Sequence, residues 1–427
     1  METLHLTPCK PRSRSRCKTW STAMARWSVY IAAIIVLYIS RTATSVRRTI
    51  RTVGVTQHMG KAVKTSFYLT RYDSYEDFRV MQRCESARRV KDSEDVLLLN
   101  LFRKHPDRVY TPRRASIFVI SFPLLASYWC KEGNHLERVE RVFSSLEKSH
   151  WFQRNSGRDH LILTWTWRIS MWNSELHTSI IPRRWQKLLE NVTQTRYERY
   201  HINPWVNATR NNSRFTHFEP TSLLQATWEM TRSAIVVPYA TSLPIAKHTT
   251  YEEWRRRKNF CFYYRANRTY AHMSTPLRQL PEKKSHYFSG CDIGWRKPHA
   301  EWQESWSQSQ FCFAIRGDTP SSHSFYNAVA SDCIPVVISD VFEVVAMPFE
   351  DMMPNLRTYA LHFTEETWLH NTSYVLSTLR SLSATEVKEL LSGLNKVKTL
   401  LLYKYPRNEI ASAVLLSMMP KLYSNSA

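Results

Sequence analysis

The chain has 427 residues, enough for two domains with sizeable cores, and its 43% hydrophobic content and 15 tryptophans exclude a disordered polypeptide. A net charge of +23 suits nucleic acid, a membrane surface or an acidic glycan, but no helix-turn-helix, zinc-finger or RNA-binding pattern accompanies the scattered cations, so nucleic acid is set aside as a partner. Only 8 glycines are present, too few and too dispersed for a Gly-rich dinucleotide loop.

Residues 1–26 form a basic tail carrying Lys10, Arg12, Arg14, Arg16, Lys18 and Arg26. An apolar run follows over 27–40, in which Trp27 to Ile39 has Ser28 as its single polar residue. It is shorter than the ~20 residues of a spanning helix. Extended back to Trp20, with Arg26 reaching toward the interface, it makes a marginal span. A signal-peptide core fits the length equally well, and both deliver the remainder to the secretory lumen. Residues 41–65 lack a hydrophobic period and read as a stem.

From Ser66 the chain reads as globular. Ala115 to Phe122 is a buried strand, and Asn134 to Ser149 an amphipathic helix capped by Asn134, with Leu136, Val139, Val142, Phe143 and Leu146 on one face. Leu161 to Leu163 is another strand, preceded by Gly157-Arg158-Asp159-His160. Positions 168–230 carry no clear pattern. Ala234 to Pro238 opens the second half, and Asn259 to Arg265 is a further strand, with Arg265 and Arg268 near its end as candidate cations for a phosphate. Glycosylation sequons stand at Asn191, Asn207, Asn211, Asn267 and Asn371. Six cysteines follow the apolar run, allowing up to three disulfides of undetermined pairing or buried thiols, and without metal-ligand spacing.

The most informative stretch runs from Ser309 to Glu350. Phe311 to Ile315 is a buried strand, Arg316 to Ser322 a polar turn, Ser321 to Asp332 a helix and Ile334 to Ile338 a second strand, which is the βαβ unit of a parallel sheet. Thr319 suits an N-cap and Pro320 a first helical residue. Free N–H groups at that helix start attract anions, and Arg316, Thr319, Ser321 and Ser322 add donors suited to a diphosphate. Gly317 and Asp318 shape the turn. Glu343, with Glu350 as second choice, is placed to accept hydrogen bonds from a ribose diol. Beyond it, Arg357 to Phe363 is a strand. Ser383 and Glu386 form a capping box for a helix lined by Val387, Leu390, Leu391, Leu394, Val397 and Leu401, and Asn408 to Met418 is a last helix that packs back on a domain.

This stretch resembles the C-terminal signature of the exostosin-like glycosyltransferases (glycosyltransferase family 47). Ser309, Phe311-Cys312, Gly317-Asp318-Thr319, Ser321-Ser322, Ala328, Cys333-Ile334-Pro335-Val336, Ser339-Asp340 and Pro348-Phe349-Glu350 fall in register with it. His323 stands where the family has Arg, Asn327 where it has Asp or Glu, and Asp332 where it has Gly. The resemblance implies a GT-B-like α/β fold, two Rossmann-type domains facing across a cleft: an acceptor-side domain over 66–230 and a nucleotide-sugar domain over 231–427. It implies transfer from a UDP-sugar to a polysaccharide or glycoprotein glycan, with inversion, no obligatory cofactor and no metal. It favours an uncleaved signal anchor, hence a single-pass type II Golgi membrane protein with its catalytic region lumenal, and association with itself or other glycosyltransferases. The base is unplaced, Asp159 and His160 being its candidates ahead of a strand. Two other readings stay open: a non-catalytic subunit of a glycosyltransferase complex, and a secreted carbohydrate-binding protein.

Overall fold

The computed structural model describes residues 65–70, 94–130, 133–164, 181–198, 234–265, 275–295, 297–317 and 320–423. The basic tail, the apolar run, the stem, Asp318, Thr319, Arg268 and the sequons at Asn207, Asn211 and Asn267 lie outside them. No helix among the described residues is long and apolar enough to cross a membrane.

The strands of the described residues form two parallel sheets. The first contains β1 (Phe67–Leu69), β2 (Arg108–Val109), β3 (Ile117–Ile120), β4 (His160–Ile162), β5 (Thr193–Arg196) and β6 (Ala234–Val236), in the order β2-β1-β3-β4-β5-β6. Every pairing in it is parallel. Strand β3, Ile-Phe-Val-Ile, is buried throughout, as a central parallel strand covered on both faces must be. Helix α1 (Glu94–Lys104) and helix α2 (His135–Lys148) belong to this half, and the side chain of Asn134 caps α2 by accepting from the Leu136 N–H. Ala234 to Val236, expected to open the second half, instead pairs with β5 as the edge strand of the first sheet. The first sheet therefore runs past residue 230.

The second sheet contains β7 (Asn259–Arg265), β8 (Cys291–Trp295), β9 (Ser309–Ile315), β10 (Ile334–Ile338) and β11 (Leu361–Phe363), ordered β11-β10-β9-β7-β8 and again wholly parallel. Helix α3 (Thr275–Lys283) follows β7, and helix α4 (His323–Ala330) joins β9 to β10. The order reverses between β7 and β9, and ligands of open parallel sheets sit beyond the strands' carboxyl ends at such a reversal. Arg357 does not begin a strand: Leu356–Thr358 is a short 3-10 turn, with Asn355 accepting from the Arg357 N–H, and only Leu361–Phe363 joins the ladder.

Two disulfides lock this sheet. Cys261 and Cys291 are register partners on β7 and β8 and are bonded to each other. Cys312 of β9 is bonded to Cys333, ahead of β10, so neither is a buried free thiol. Cys130, in the first half, is disulfide-bonded as well. Helix α5 (Ala384–Leu401) begins at a capping box in which Ser383 and Glu386 each accept from the other's backbone N–H. The terminal helix α6 (Ile410–Tyr423) returns to the first sheet, where Ile410, Val414 and Met418 share a core with Phe67, Leu98 and Phe102.

Candidate functional site

The carboxyl end of β9 is the centre of the site. Its turn does not open the helix where Thr319 and Pro320 suggested. The N-cap is Ser322, whose side chain accepts from the Ser324 N–H, and helix α4 starts at His323. The preceding residues are bonded elsewhere. The Pro320 carbonyl accepts from the Ser339 hydroxyl at 3.0 Å, and the Ser321 N–H donates to Glu198 Oε1 at 2.8 Å. These commitments hold the turn extended, so the helix begins later. Nothing among the described residues accepts from the N–H groups of Ser322 or His323. The peptide dipoles at a helix start favour an anion.

Arg316 stands at the end of β9 but faces inward. It is 3% exposed, and its Nε donates to Glu365 Oε1 at 2.6 Å. Glu365 is equally buried, and its N–H donates to Asp340 Oδ1 at 2.8 Å. The arrangement ties the ends of β9, β10 and β11 together. Arg316 is thus corrected from a diphosphate contact to a strut of the site. The guanidinium lying over the turn is that of Arg278 on α3. Its Nε donates to the Arg316 carbonyl at 2.9 Å and its terminal nitrogen to the Ile315 carbonyl at 3.3 Å. Gly317 makes room for it, since a Cβ there would come within 2.9 Å of that nitrogen. Arg278 leaves β7 and reaches β9, so it spans the point where the strand order reverses. Nothing in the sequence distinguished it from the other cations of a basic chain. Arg265 closes β7 at the same edge.

Glu343 lies one turn beyond β10, with Oε1 3.1 Å from His362 Nδ1, and the other ring nitrogen of His362 is 2.9 Å from the Ser339 carbonyl. Its side chain is 44% exposed, so it keeps a solvent-facing carboxylate at the sheet's carboxyl edge. Glu350 is exposed further along the same connection.

The first sheet contributes groups that sequence reasoning missed. Glu198 follows β5, and Tyr239 follows β6 and reaches the Ser321 hydroxyl at 2.8 Å. Burial pushes the Tyr239 hydroxyl well above the ordinary tyrosine range. Glu94, the first residue of α1, accepts from the Ala240 N–H at 3.0 Å and sits 3.9 Å from His323 Nε2. No local motif in the sequence marks Glu94 or Glu198. The carboxyl ends of the two sheets therefore meet at the start of α4.

Asp159 and His160 are at the other end. Asp159 precedes β4 and His160 is its first residue, so both lie at its amino edge, away from this meeting point. Burial pushes the Asp159 carboxyl up, but hydrogen bonds from His160, Arg154 and Asn155 outweigh it and hold the group below its ordinary value. The His160 ring stacks on Phe118 at 4.9 Å. Their geometry is that of a structural pair, which corrects their candidacy as base. Of the sequons described, Asn191 is exposed, and Asn371 is exposed and caps the helix Thr372–Ser381.

Two parallel sheets with their carboxyl edges converging on one helix start define a two-sheet α/β protein. The Exostosin GT47 domain model matches residues 68–379, more than half of the chain, and the chain belongs to that family. Among curated relatives it is 22% identical over 271 residues to "Probable arabinosyltransferase ARAD1" of Arabidopsis thaliana, covering 64% of this chain and 52% of that protein. It thus spans about half the length of the curated relative it matches. Among solved structures, Anabaena Alr3699/HepE in complex with UDP aligns at TM-score 0.37 and 8% identity, covering 82% of this chain and 98% of that one. AviGT4, a glycosyltransferase involved in Avilamycin A biosynthesis, aligns at TM-score 0.31 and 8% identity, covering 75% and 82%. At those scores the two structures carry no argument about this chain.

Proposed function

We propose that the chain is a GT-B-like glycosyltransferase that moves a sugar from a nucleoside-diphosphate donor, a UDP-sugar, to a polysaccharide or glycoprotein glycan. The observation that carries this reading is Arg278 lying across the strand-order reversal, over the turn that leads from β9 toward α4. In that reading Arg278, Arg265, Arg268, the turn from Gly317 to Ser322 and the helix start neutralise the departing diphosphate. Such preorganised donors act where charge develops. Glu343 takes the ribose diol, with Glu350 as the alternative. Inversion and independence from a metal are part of the proposal, because family membership supports both. The disulfide-bonded cysteines support passage through an oxidising compartment, in keeping with a Golgi membrane protein whose globular part is lumenal.

A second reading has one observation in its favour. The Ser321 N–H, which a donor phosphate would use, is already taken by Glu198. A non-catalytic subunit of a glycosyltransferase complex would keep its anion site filled in this way.

UDP release from a panel of UDP-hexoses, UDP-pentoses and UDP-glucuronate, in EDTA, separates the two. The enzyme reading expects release from one donor and its loss, by at least tenfold, in Arg278→Ala and Glu343→Ala. Saturable UDP binding without release from any donor, with glycan acceptors supplied, supports the subunit.

A further inference from the structure

His323 is the residue at which this chain departs from the family's Arg, and the structure gives it surroundings of its own. It is the first residue of α4, at the meeting point of the two sheets, with its side chain half exposed. Its Nε2 is 3.9 Å from Glu94 Oε1, while Nδ1 has no hydrogen-bond partner among the described residues. The ring meets Tyr239 at 4.6 Å and 88°, which fixes its plane. Glu94 is 1% exposed, and although its Oε1 accepts from the Ala240 N–H, its Oε2 has no hydrogen-bond partner. A buried carboxylate with an unfilled oxygen is costly, and pairing with an imidazolium is one way to offset it.

We propose that His323 is the general base of the transfer, and that Glu94 is the residue that positions it. This rests on the donor site proposed above. Nε2–H turns toward the Glu94 carboxylate, which selects the tautomer whose Nδ1 lone pair faces the cleft. An acceptor hydroxyl there gives its proton to Nδ1 as its oxygen forms the new bond to the anomeric carbon. The bond from that carbon to the diphosphate oxygen breaks, and its electron pair leaves with UDP. The imidazolium so formed is stabilised by Glu94. A separation of 3.9 Å is long for a hydrogen bond, and such contacts commonly tighten when ligand binds. An Arg at position 323 could not take a proton at any pH the protein survives.

Among the described residues, the titratable groups around the ring are few. Glu94 faces it from α1 and Tyr239 from beyond β6. Behind Tyr239 stand Tyr197 and Glu198, beyond β5, and Tyr326 on α4 itself. Tyr239 and Tyr326 are pushed far up by burial and stay neutral where an imidazole titrates. Burial holds the Glu94 carboxyl above its ordinary value, with the His323 contact and the Ala240 N–H acting against it.

The test is run on the full chain. UDP affinity is measured by calorimetry and UDP release from the donor panel is followed between pH 5 and 9, for wild type, His323→Ala and Glu94→Gln. The His323 ring proton, assigned by its loss in His323→Ala, is titrated by NMR in wild type and Glu94→Gln. The expected result is UDP affinity within about threefold in all three proteins, and release slowed about 10²- to 10⁴-fold in His323→Ala. The acid limb of the rate profile and the NMR midpoint should both move to lower pH in Glu94→Gln, as loss of a facing carboxylate requires. UDP binding with His323→Ala near wild-type rate, or with an unmoved limb and midpoint in Glu94→Gln, overturns the dyad and leaves the donor site standing. Binding without release by wild type overturns it too. Absence of UDP binding overturns the donor site, and the dyad with it.

Discussion

At the scale of single residues, two buried ion pairs hold the framework of the site. Arg316 and Glu365 are nearly inaccessible, and so are Lys398 and Asp332, 2.5 Å apart. Breaking such a pair from one side strands a charge in the interior. Glu365→Ala is expected to lower stability by about 3–5 kcal/mol, and Arg316→Met added to Glu365→Leu to restore most of it, both read from urea unfolding. Equal losses in the single and double variants would show that the pair is not the cause. Asp332 illustrates what a motif conceals. Its φ of 51° is left-handed, which accounts for Gly as the family's choice there. In this chain the strain is met by Lys398, by the Thr249 N–H donating to the Asp332 carboxylate, and by Arg257 donating to its carbonyl. Residue types were therefore readable from the sequence, while their partners were not. Lys398 is 66 positions from Asp332 and Glu94 is 229 from His323 (398 − 332 and 323 − 94), and no local pattern links such pairs.

At the scale of elements, legibility followed hydrophobic period and capping chemistry. Strands β3 and β10 are unbroken apolar runs, β9 is apolar from Phe311 on, α2 shows one apolar face, and the Ser383–Glu386 box marks the start of α5. Strand β5 was invisible because it reads Thr-Gln-Thr-Arg. Its buried polar groups pair largely with one another and with the neighbouring strand: the Thr195 hydroxyl donates to the Thr164 carbonyl and accepts from the Thr164 N–H, and Arg196 donates to the Gln194 side chain. The cap of α4 was misplaced for a related reason, since the bonds that keep Ser321 out of the helix come from Glu198, 123 residues away. Packing of α5 yields a prediction. Gly393 sits against the Leu356–Thr358 turn so closely that a Cβ would lie 2.0 Å from the Thr358 carbonyl oxygen. Alanine in a helix interior ordinarily gains about 1 kcal/mol over glycine. Here the clash with backbone wins, and Gly393→Ala is expected to cost about 1–3 kcal/mol, measured as a lowered unfolding midpoint. A rise in the midpoint would mean that α5 can move off the turn.

At the scale of the molecule, the sheets share more than the chain between them. Helix α6 leaves the second half to complete the core of the first, and Glu198, Tyr239 and Glu94 reach from the first to the start of α4. The βαβ unit of the second sheet was legible because it lies in one contiguous stretch of sequence. The return of α6 was legible only as a helix that packs back. The donor-site proposal depends most directly on one equilibrium, the binding of UDP in EDTA by the full chain and by Arg278→Ala, measured by calorimetry. The account predicts saturable one-to-one binding by the wild type and at least a tenfold loss in the variant. A folded wild-type protein that takes up no UDP, or a variant that binds it as tightly, would contradict the placement of the donor diphosphate at the end of β9.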